Sequence, residues 1–253
     1  MNRLGFRLGF FSLCWLGLIA AIGPAAAADC DSENAAEAIA ACSRIIDQGG
    51  GDAAARAEAF RNRAYAYLQQ EAYKKSLADY TQAIRLQPGN PEDLYGRGLA
   101  YAELKQDRAA LIDFAKAITI NKDYADAYFQ RGGIRERAGQ YVAALDEYGQ
   151  AIRSNSTYAD AYAARAWTYY KMRKPARGLP DIDKAVALDP NDLDYQRTRA
   201  HILEAMKRRK AAIQQYWRIL RVNPTDQGAE AGLVRLRAPH PPATATRGPT
   251  KLR

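Results

Sequence analysis

One period, of about 34 residues, runs through the middle of this sequence and limits what it can fold into. The sequence numbers of Pro190 and Pro224 differ by one period, and those of Pro88 and Pro190 differ by three. Self-similarity at such a period is the signature of a solenoid of stacked repeats. Five repeats are predicted, without insertion, beginning at Ala57, Pro91, Ala125, Ala159 and Leu193.

Residue size recurs at fixed positions of each repeat. The eighth position is always small: Ala64, Gly98, Gly132, Ala166 and Ala200. The twentieth is small as well: Ser76, Ala110, Ala144, Gly178 and Ala212. Large apolar residues occupy position 24: Tyr80, Phe114, Tyr148, Ile182 and Tyr216. Positions 4, 8 and 11 share one helix face, as do positions 20, 24 and 27, so each repeat is predicted to be an antiparallel helix pair. One such pair cannot bury its own apolar faces, so neighbouring pairs must stack.

This pattern resembles the tetratricopeptide repeat family over residues 57–224. The resemblance implies an all-α, right-handed solenoid in which the first helix of each repeat lines a concave groove. In that family, positions 2, 5, 9, 12 and 13 usually face the groove. The residues expected to bind a partner there are Arg61, Tyr65, Tyr95, Phe129, Trp167, Tyr170, Lys171, Arg197 and His201; Leu68, Leu99, Glu136 and Glu204 complete the face. Aromatic residues at helical spacing also pack into cores; this alternative stays open for Phe129 and Trp167 and is preferred for Tyr65.

A second recurring feature is charged. Position 7 is arginine in every repeat: Arg63, Arg97, Arg131, Arg165 and Arg199. Position 23 is acidic in four repeats and an amide in the last: Asp79, Asp113, Glu147, Asp181 and Gln215. Because both positions flank the packing faces, a structural ladder of Arg–carboxylate pairs is predicted. The alternative is a column of cations that faces an anionic ligand.

Residues 1–28 have the order of a secretory signal peptide. Arg3 and Arg7 precede an apolar run over 8–22, and small residues follow Gly23 and Pro24. Cleavage after Ala28 is predicted, which places the chain in the periplasm or outside the cell. An uncleaved membrane anchor is the alternative, and it is disfavoured because the run is shorter than the roughly 20 residues that span a bilayer.

Cys30 and Cys42 would be the two cysteines of the exported chain. An even number in an exported protein predicts a disulfide. It would pin a capping helix within residues 29–51, which begins at a capping box of Asn34 and Glu37. A redox pair is the alternative, disfavoured because the spacing of twelve is far from Cys-x-x-Cys.

Repeat four contains a proline inside a predicted helix and a predicted helix cap. Pro180 lies inside the predicted second helix of repeat four, so that helix is expected to be kinked or to start late. Thr157, with Asp160, is predicted to cap the first helix of the same repeat.

A final capping helix is predicted within 225–237, followed by a disordered basic tail over 238–253.

The formal net charge of +9 belongs mainly to the two ends of the chain. Arg3 and Arg7 contribute two charges, and Arg237, Arg247, Lys251 and Arg253 contribute four, which leaves +3 for the rest. No nucleic-acid-binding body is therefore predicted.

The sequence offers little for catalysis. It has two histidines, His201 and His240, with no cluster of metal ligands and no glycine-rich phosphate loop. We therefore predict a non-enzymatic adaptor without metal or cofactor, which binds a protein or peptide in the groove and is not inserted in a membrane once the signal is cleaved. The alternatives are a module that binds an anionic envelope polymer through arginines and tail, and a self-assembling structural protein, in which the chain would be a homo-oligomer.

Overall fold

The computed structural model describes residues 29–49 and 51–238. Within these residues it contains a 3-10 turn at Asp29–Asp31, twelve α-helices and no strand. The helices are α1 (Ala35–Asp47), α2 (Ala53–Gln69), α3 (Tyr73–Leu86), α4 (Pro91–Glu103), α5 (Asp107–Ile120), α6 (Ala125–Arg137), α7 (Tyr141–Ser154), α8 (Ala159–Lys171), α9 (Pro175–Leu188), α10 (Leu193–Ala205), α11 (Arg209–Val222) and α12 (Gln227–Arg235). The predicted all-α class is confirmed. The predicted signal peptide lies outside the described residues, as does the predicted tail beyond Ala238.

The helices pack as five consecutive pairs, α2 with α3 through α10 with α11. Each second helix also packs against the first helix of the next pair, and α1 and α12 pack on the two ends of the stack. The predicted solenoid of helix pairs is therefore confirmed.

Small residues stand where two helices come closest. A Cβ built on Gly98 would lie 2.6 Å from the Phe114 ring, and one on Gly178 would lie 2.6 Å from the backbone oxygen of Ala166. The residues at position 24 fill the space beside these approaches, and Phe114 and Tyr216 are completely buried. Each pair thus buries one large residue beside two small ones.

Several helices begin at a side-chain cap. Asn90 accepts from the backbone N–H groups of Glu92 and Asp93, with Pro91 as the first helical residue, and Asn34 accepts from Ala36. The predicted cap at Thr157 is wrong, because α8 begins after Tyr158 without a side-chain cap. The Thr157 hydroxyl instead donates to the side chain of Asn155, which forms the turn before the helix.

The expected late start of the second helix of repeat four is also wrong. Helix α9 runs without a break from Pro175 to Leu188 and begins at the same repeat position as α3, α5, α7 and α11. Pro175 is the first helical residue, where a missing N–H and a fixed φ are tolerated. Pro180 deprives one carbonyl, that of Ala176, of its helical partner, and the close packing of Gly178 on α8 holds this turn in place.

Candidate functional site

The arginines at position 7 form ion pairs inside the solenoid. Arg97 donates to both carboxylate oxygens of Asp113, at 2.7 and 2.9 Å, and the Asp113 side chain is only 3% exposed. Equivalent pairs join Arg63 to Asp79, Arg131 to Glu147 and Arg165 to Asp181. The predicted structural ladder is confirmed in these four repeats. In repeat five, Arg199 donates to Gln215 and to the more exposed Asp183.

Three basic residues of the predicted groove are also paired within the chain. Arg61 donates to both oxygens of Asp93, at 2.5 and 3.2 Å, and the Asp93 side chain is completely buried. Burial raises the pKa of the Asp93 carboxyl, while the Arg61 guanidinium acts in the opposite direction. Lys171 lies 2.7 Å from Glu136, and Arg197 pairs with Asp194. Their charges are therefore largely compensated before any ligand arrives.

Tyr95 and Phe129 occupy equivalent places in successive repeats. The Tyr95 ring lies 5.7 Å from Phe114 and 5.0 Å from Tyr124. The Phe129 ring lies 5.7 Å from Tyr148 and 5.1 Å from Tyr158. Each side chain is half-buried and packs on core rings, so core packing holds in part for Phe129, while its contact with a partner stays a prediction.

Tyr65 is placed differently from what its spacing suggested. Its side chain is 58% exposed, so the preferred expectation that it packs inward is wrong. It borders a pocket of about 490 Å³ between α2 and the N-terminal segment, with Asp31, Glu33 and Asn62. The Cys30–Cys42 disulfide, with 4.9 Å between its Cα atoms, fixes the wall of this pocket to α1.

Trp167 and Tyr170 form a stacked aromatic pair on the predicted groove. Their rings stack at 4.8 Å with an interplanar angle of 18°. His201 of the next repeat lies 6.3 Å from Trp167 and 6.5 Å from Tyr170. Trp167, Tyr170 and His201 come from helices α8 and α10, which are adjacent first helices of the stack.

A hydrogen-bonded network continues from these rings. The Tyr216 hydroxyl lies 3.2 Å from His201 Nδ1 and donates to Glu204, which also accepts two hydrogen bonds from Arg235 at 3.1 Å. Burial and the positive charge of Arg235 lower the pKa of His201. Burial opposes ionisation of Glu204, but the hydrogen bonds from Arg235 and Tyr216 outweigh it and lower its pKa.

A pocket of about 960 Å³ lies where these helices end. Four of its residues belong to the predicted groove face: Tyr170, Lys171, His201 and Glu204. Sequence reasoning missed Arg173 and Arg235, which also line it. Arg173 follows α8 in the left-handed turn, at φ 61°, and occupies no groove position. Arg235 belongs to the capping helix, one period of 34 residues after His201, so it continues position 9 beyond the five predicted repeats.

Sequence reasoning also passed over a column of acids at position 2. Glu58, Glu92, Asp126, Asp160 and Asp194 are all acidic and all exposed. Acids in the first turn of a helix are favoured by the helix dipole, which accounts for the recurrence. Of the five, Asp194 is the one in an ion pair with another described residue, Arg197. This edge of the first helices is therefore negatively charged.

Two observations bear on other kinds of site. No helix in the described part of the chain is long and apolar enough to cross a membrane. Within residues 29–49 and 51–238, no group of three or more His, Cys, Asp or Glu side chains is placed to hold a metal ion.

Comparison with protein families and structures gives the same fold. Tetratricopeptide repeat profiles match residues 57–90, 94–124 and 159–192. A comparison with characterised protein sequences found no match.

Solved structures resemble the chain at low sequence identity. The MamA 41-end structure from Desulfovibrio magneticus RS-1 is 22% identical, with a TM-score of 0.62 over 70% of this chain and 98% of that one. Pseudomonas aeruginosa PilF is 16% identical, with a TM-score of 0.60 over 72% and 90%. YrrB, described as a TPR protein with an unusual peptide-binding site, is 24% identical, with a TM-score of 0.52 over 64% and 81%.

Proposed function

Because the chain is a tetratricopeptide repeat protein, we propose that it is a non-enzymatic adaptor that holds a peptide or helix of another protein in its concave groove. Tetratricopeptide repeat proteins generally act as protein–protein interaction scaffolds. The proposed contact surface is the row of Tyr65, Tyr95, Phe129, Trp167 and Tyr170, joined by Lys171 and His201.

The observation that carries this proposal is the Trp167–Tyr170 stack with His201 beside it. Large rings held rigid by packing lose little conformational entropy when a partner docks, so they are favoured as anchors of interfaces. The adjacent pocket of about 960 Å³ has the size of a typical ligand pocket and gives a bound side chain somewhere to insert.

Export to the cell envelope belongs to the same proposal. It is supported by the signal-peptide order of residues 1–28 and by the Cys30–Cys42 disulfide, since disulfides persist in oxidising compartments. YrrB offers a precedent for peptide binding on this fold.

The charge arrangement favours a peptide over an anionic polymer. Arg63, Arg97, Arg131 and Arg165 are engaged by buried carboxylates and are not available as a cationic face. Exposed acids at position 2 would repel a polyanion that runs along the first helices. Binding of an anionic polymer is therefore the alternative, and the experiment must distinguish it from binding of a peptide.

The test is affinity purification of the tagged chain from its native cells, followed by mass spectrometry. We expect the double variant Phe129→Ala/Trp167→Ala to lose the partner that the unmodified chain recovers, because truncating central interface aromatics typically costs about 2 kcal/mol or more each. Undiminished recovery of the same partner would remove the groove hypothesis.

Two further variants distinguish the loss of groove contacts from the loss of core packing and from changes on the outer surface. Tyr65→Ala removes a ring that is more than half exposed, so it tests the groove without emptying the core. Ile112→Ala/Val142→Ala removes exposed apolar residues from second helices and serves as the matched control, with recovery unchanged. Recovery at increasing salt concentration distinguishes the polymer alternative, because binding of an anionic polymer would be lost at modest ionic strength.

A further inference from the structure

The outward side of the second helices is strongly basic. Positions 18, 22, 26 and 29 of each repeat share one side of that helix, within an arc of about 80°, and lie away from the buried positions 20, 24 and 27. We call these twenty residues the outer face; nineteen of them are exposed, and Gln82 is half-buried. One of them, Asp146, is acidic, and nine are cationic: Lys74, Arg85, Arg108, Lys116, Arg153, Lys184, Lys210, Arg218 and Arg221.

The nine cations have no compensating acid among the described residues. Within residues 29–49 and 51–238, none of them forms an ion pair, and Arg153 donates to the neutral amide oxygen of Gln150, at 3.2 Å. The arginines at position 7, by contrast, are held by buried carboxylates, as Arg97 is by Asp113. The exposed acids of position 2 lie on the first helices. The positive charge of the outer face is therefore not cancelled by a partner within the described fold.

Folding does not account for this excess of one sign. The cationic side chains are exposed, so no packing contact requires them to be charged. Arg218 and Arg221 lie three residues apart on α11, a spacing at which like charges destabilise a helix. Surfaces that serve only solubility usually intersperse both signs. A field of one sign over five consecutive second helices instead attracts an extended anion.

Two large apolar side chains lie among these cations. Ile112, at position 22 of α5, is 49% exposed, and Val142, at position 18 of α7, is 67% exposed. At position 30, beside the outer face, Ile120 and Val222 are also exposed. A soluble polyanion offers no apolar phase to such side chains, whereas the boundary between lipid headgroups and acyl chains does. Cations with apolar side chains between them therefore fit a lipid surface better than a soluble polymer.

We propose that the outer face docks the solenoid on a lipid surface that carries negative charge. The cations contact the lipid phosphates, and Ile112 and Val142 reach the boundary between headgroups and acyl chains. Positions 18 and 29 are about 16 Å apart along each second helix, so the contact extends over roughly three helical turns. The first helices form the concave groove and take no part in this contact, so lipid docking does not depend on a partner in the groove.

Co-flotation of the purified chain with lipid vesicles tests this proposal. Vesicles of phosphatidylcholine are compared with an equal mixture of phosphatidylcholine and phosphatidylglycerol, so that any binding through the apolar run over 8–22 is common to both. We expect the unmodified chain to prefer the anionic vesicles. Lys116→Gln/Lys184→Gln/Arg218→Gln is expected to weaken binding to them roughly a hundredfold, because each Lys or Arg near an anionic surface strengthens binding by roughly fivefold.

The matched control removes the same net charge away from the outer face. Lys105, Lys122 and Lys207 are exposed residues of turns between helices. Lys105→Gln/Lys122→Gln/Lys207→Gln is expected to weaken vesicle binding by less than about threefold, because charges away from the contact are largely screened. Circular dichroism checks that each variant keeps its helices. Equal losses in the two triple variants, or equal binding of the unmodified chain to both kinds of vesicle, would overturn the proposal.

A third variant distinguishes a lipid surface from other anionic occupants. Ile112→Ser/Val142→Ser keeps all nine cations and is expected to weaken binding to anionic vesicles roughly tenfold, since apolar burial adds to the electrostatic attraction. Its binding to dextran sulfate, a soluble polyanion, is expected to equal that of the unmodified chain. Unchanged binding to vesicles would mean that a soluble polymer is the occupant. Salt-sensitive self-association in light scattering, without vesicle binding, would make a second copy the occupant; either result would overturn the proposal.

Discussion

The ion pairs at position 7 show how single residues hold neighbouring helices in place. The carboxylates of Asp113 and its equivalents are almost completely removed from water, while the paired arginines keep partial exposure. Removal of one partner from such a pair leaves a buried charge without compensation, which destabilises a protein far more than loss of a surface pair.

Asp113→Ala tests this effect. We expect the free energy of unfolding to fall by about 3–5 kcal/mol, because Arg97 stays half-buried without its acceptor. The control is Asp107→Ala, which removes an exposed partner of Arg137 and is expected to cost less than about 1 kcal/mol. Urea unfolding measures both, and equal small losses would mean that the ladder carries little stability.

His201 gives a pH dependence. Its pKa in the folded chain is below 6.5, so as pH falls through 6.5 the unfolded chain binds a proton more readily than the folded one. The stability that is fully present above pH 6.5 is therefore lost on acidification. We expect His201→Gln to flatten the decline of the unfolding free energy just below pH 6.5. An unchanged slope in urea titrations of this variant would contradict the assignment to His201.

Between neighbouring helices, a glycine is needed for stability where the two backbones come too close for a Cβ atom, and not because of its flexible backbone. Gly178→Ala places a Cβ 2.6 Å from a backbone oxygen of α8, which cannot move aside as a side chain would. We expect a loss of about 1–3 kcal/mol from overpacking. A Cβ on Gly149 in α7 would meet no neighbouring helix nearer than 3.7 Å, so Gly149→Ala is expected to gain about 0.5–1 kcal/mol from helix propensity. Thermal unfolding measures the stability of both variants. A change of the same sign in both would contradict the role given to close packing at Gly178.

The sequence predicted this level of structure well because packing repeats with the period. Small residues at positions 8 and 20 reveal the helix pairs, and Arg97 and Asp113 reveal the ladder. It failed where an outcome depends on one local competition. Pro180 was expected to kink α9 or delay its start, but α9 begins at the same repeat position as the other second helices, because the proline removes a single hydrogen bond within an otherwise packed helix. Thr157 looked like a cap, but Asn155 accepts its hydroxyl first.

The candidate site was harder to predict for a physical reason. The resemblance to tetratricopeptide repeats implied the groove positions, and the structure brings Trp167, Tyr170 and His201 of that set together. That they bind a partner stays a prediction. Exposure and pairing do not follow from spacing: Tyr65 is open because the pinned N-terminal segment leaves a pocket beside it, and Arg61 is engaged because Asp93 is buried against it. Arg235 reaches the site from the capping helix, which continues the period beyond the five repeats that were predicted.

Across the whole molecule, each pair contacts mainly its neighbours, so damage is expected to stay local. Cys30→Ser/Cys42→Ser removes the disulfide that holds the 3-10 turn and α1, at a cost of about 2–4 kcal/mol to the terminal unit. Hydrogen exchange is expected to accelerate in α1 and α2 and to stay unchanged in α8 to α11. Faster exchange along the entire stack would show instead that the solenoid unfolds as one unit. Reduction of the disulfide in the unmodified chain is the control and is expected to accelerate the same helices.

The concave groove is proposed to hold the partner. The most direct measurement is photo-crosslinking in native cells from a benzoylphenylalanine placed at Tyr65 or Tyr170 in the groove, or at Ile112 or Val142 on second helices. All four side chains lie outside the fully buried core, so the larger group can be accommodated. We expect one common partner adduct from Tyr65 and Tyr170 and none from Ile112 or Val142. The same adduct from Ile112 or Val142, with none from the groove, would contradict it.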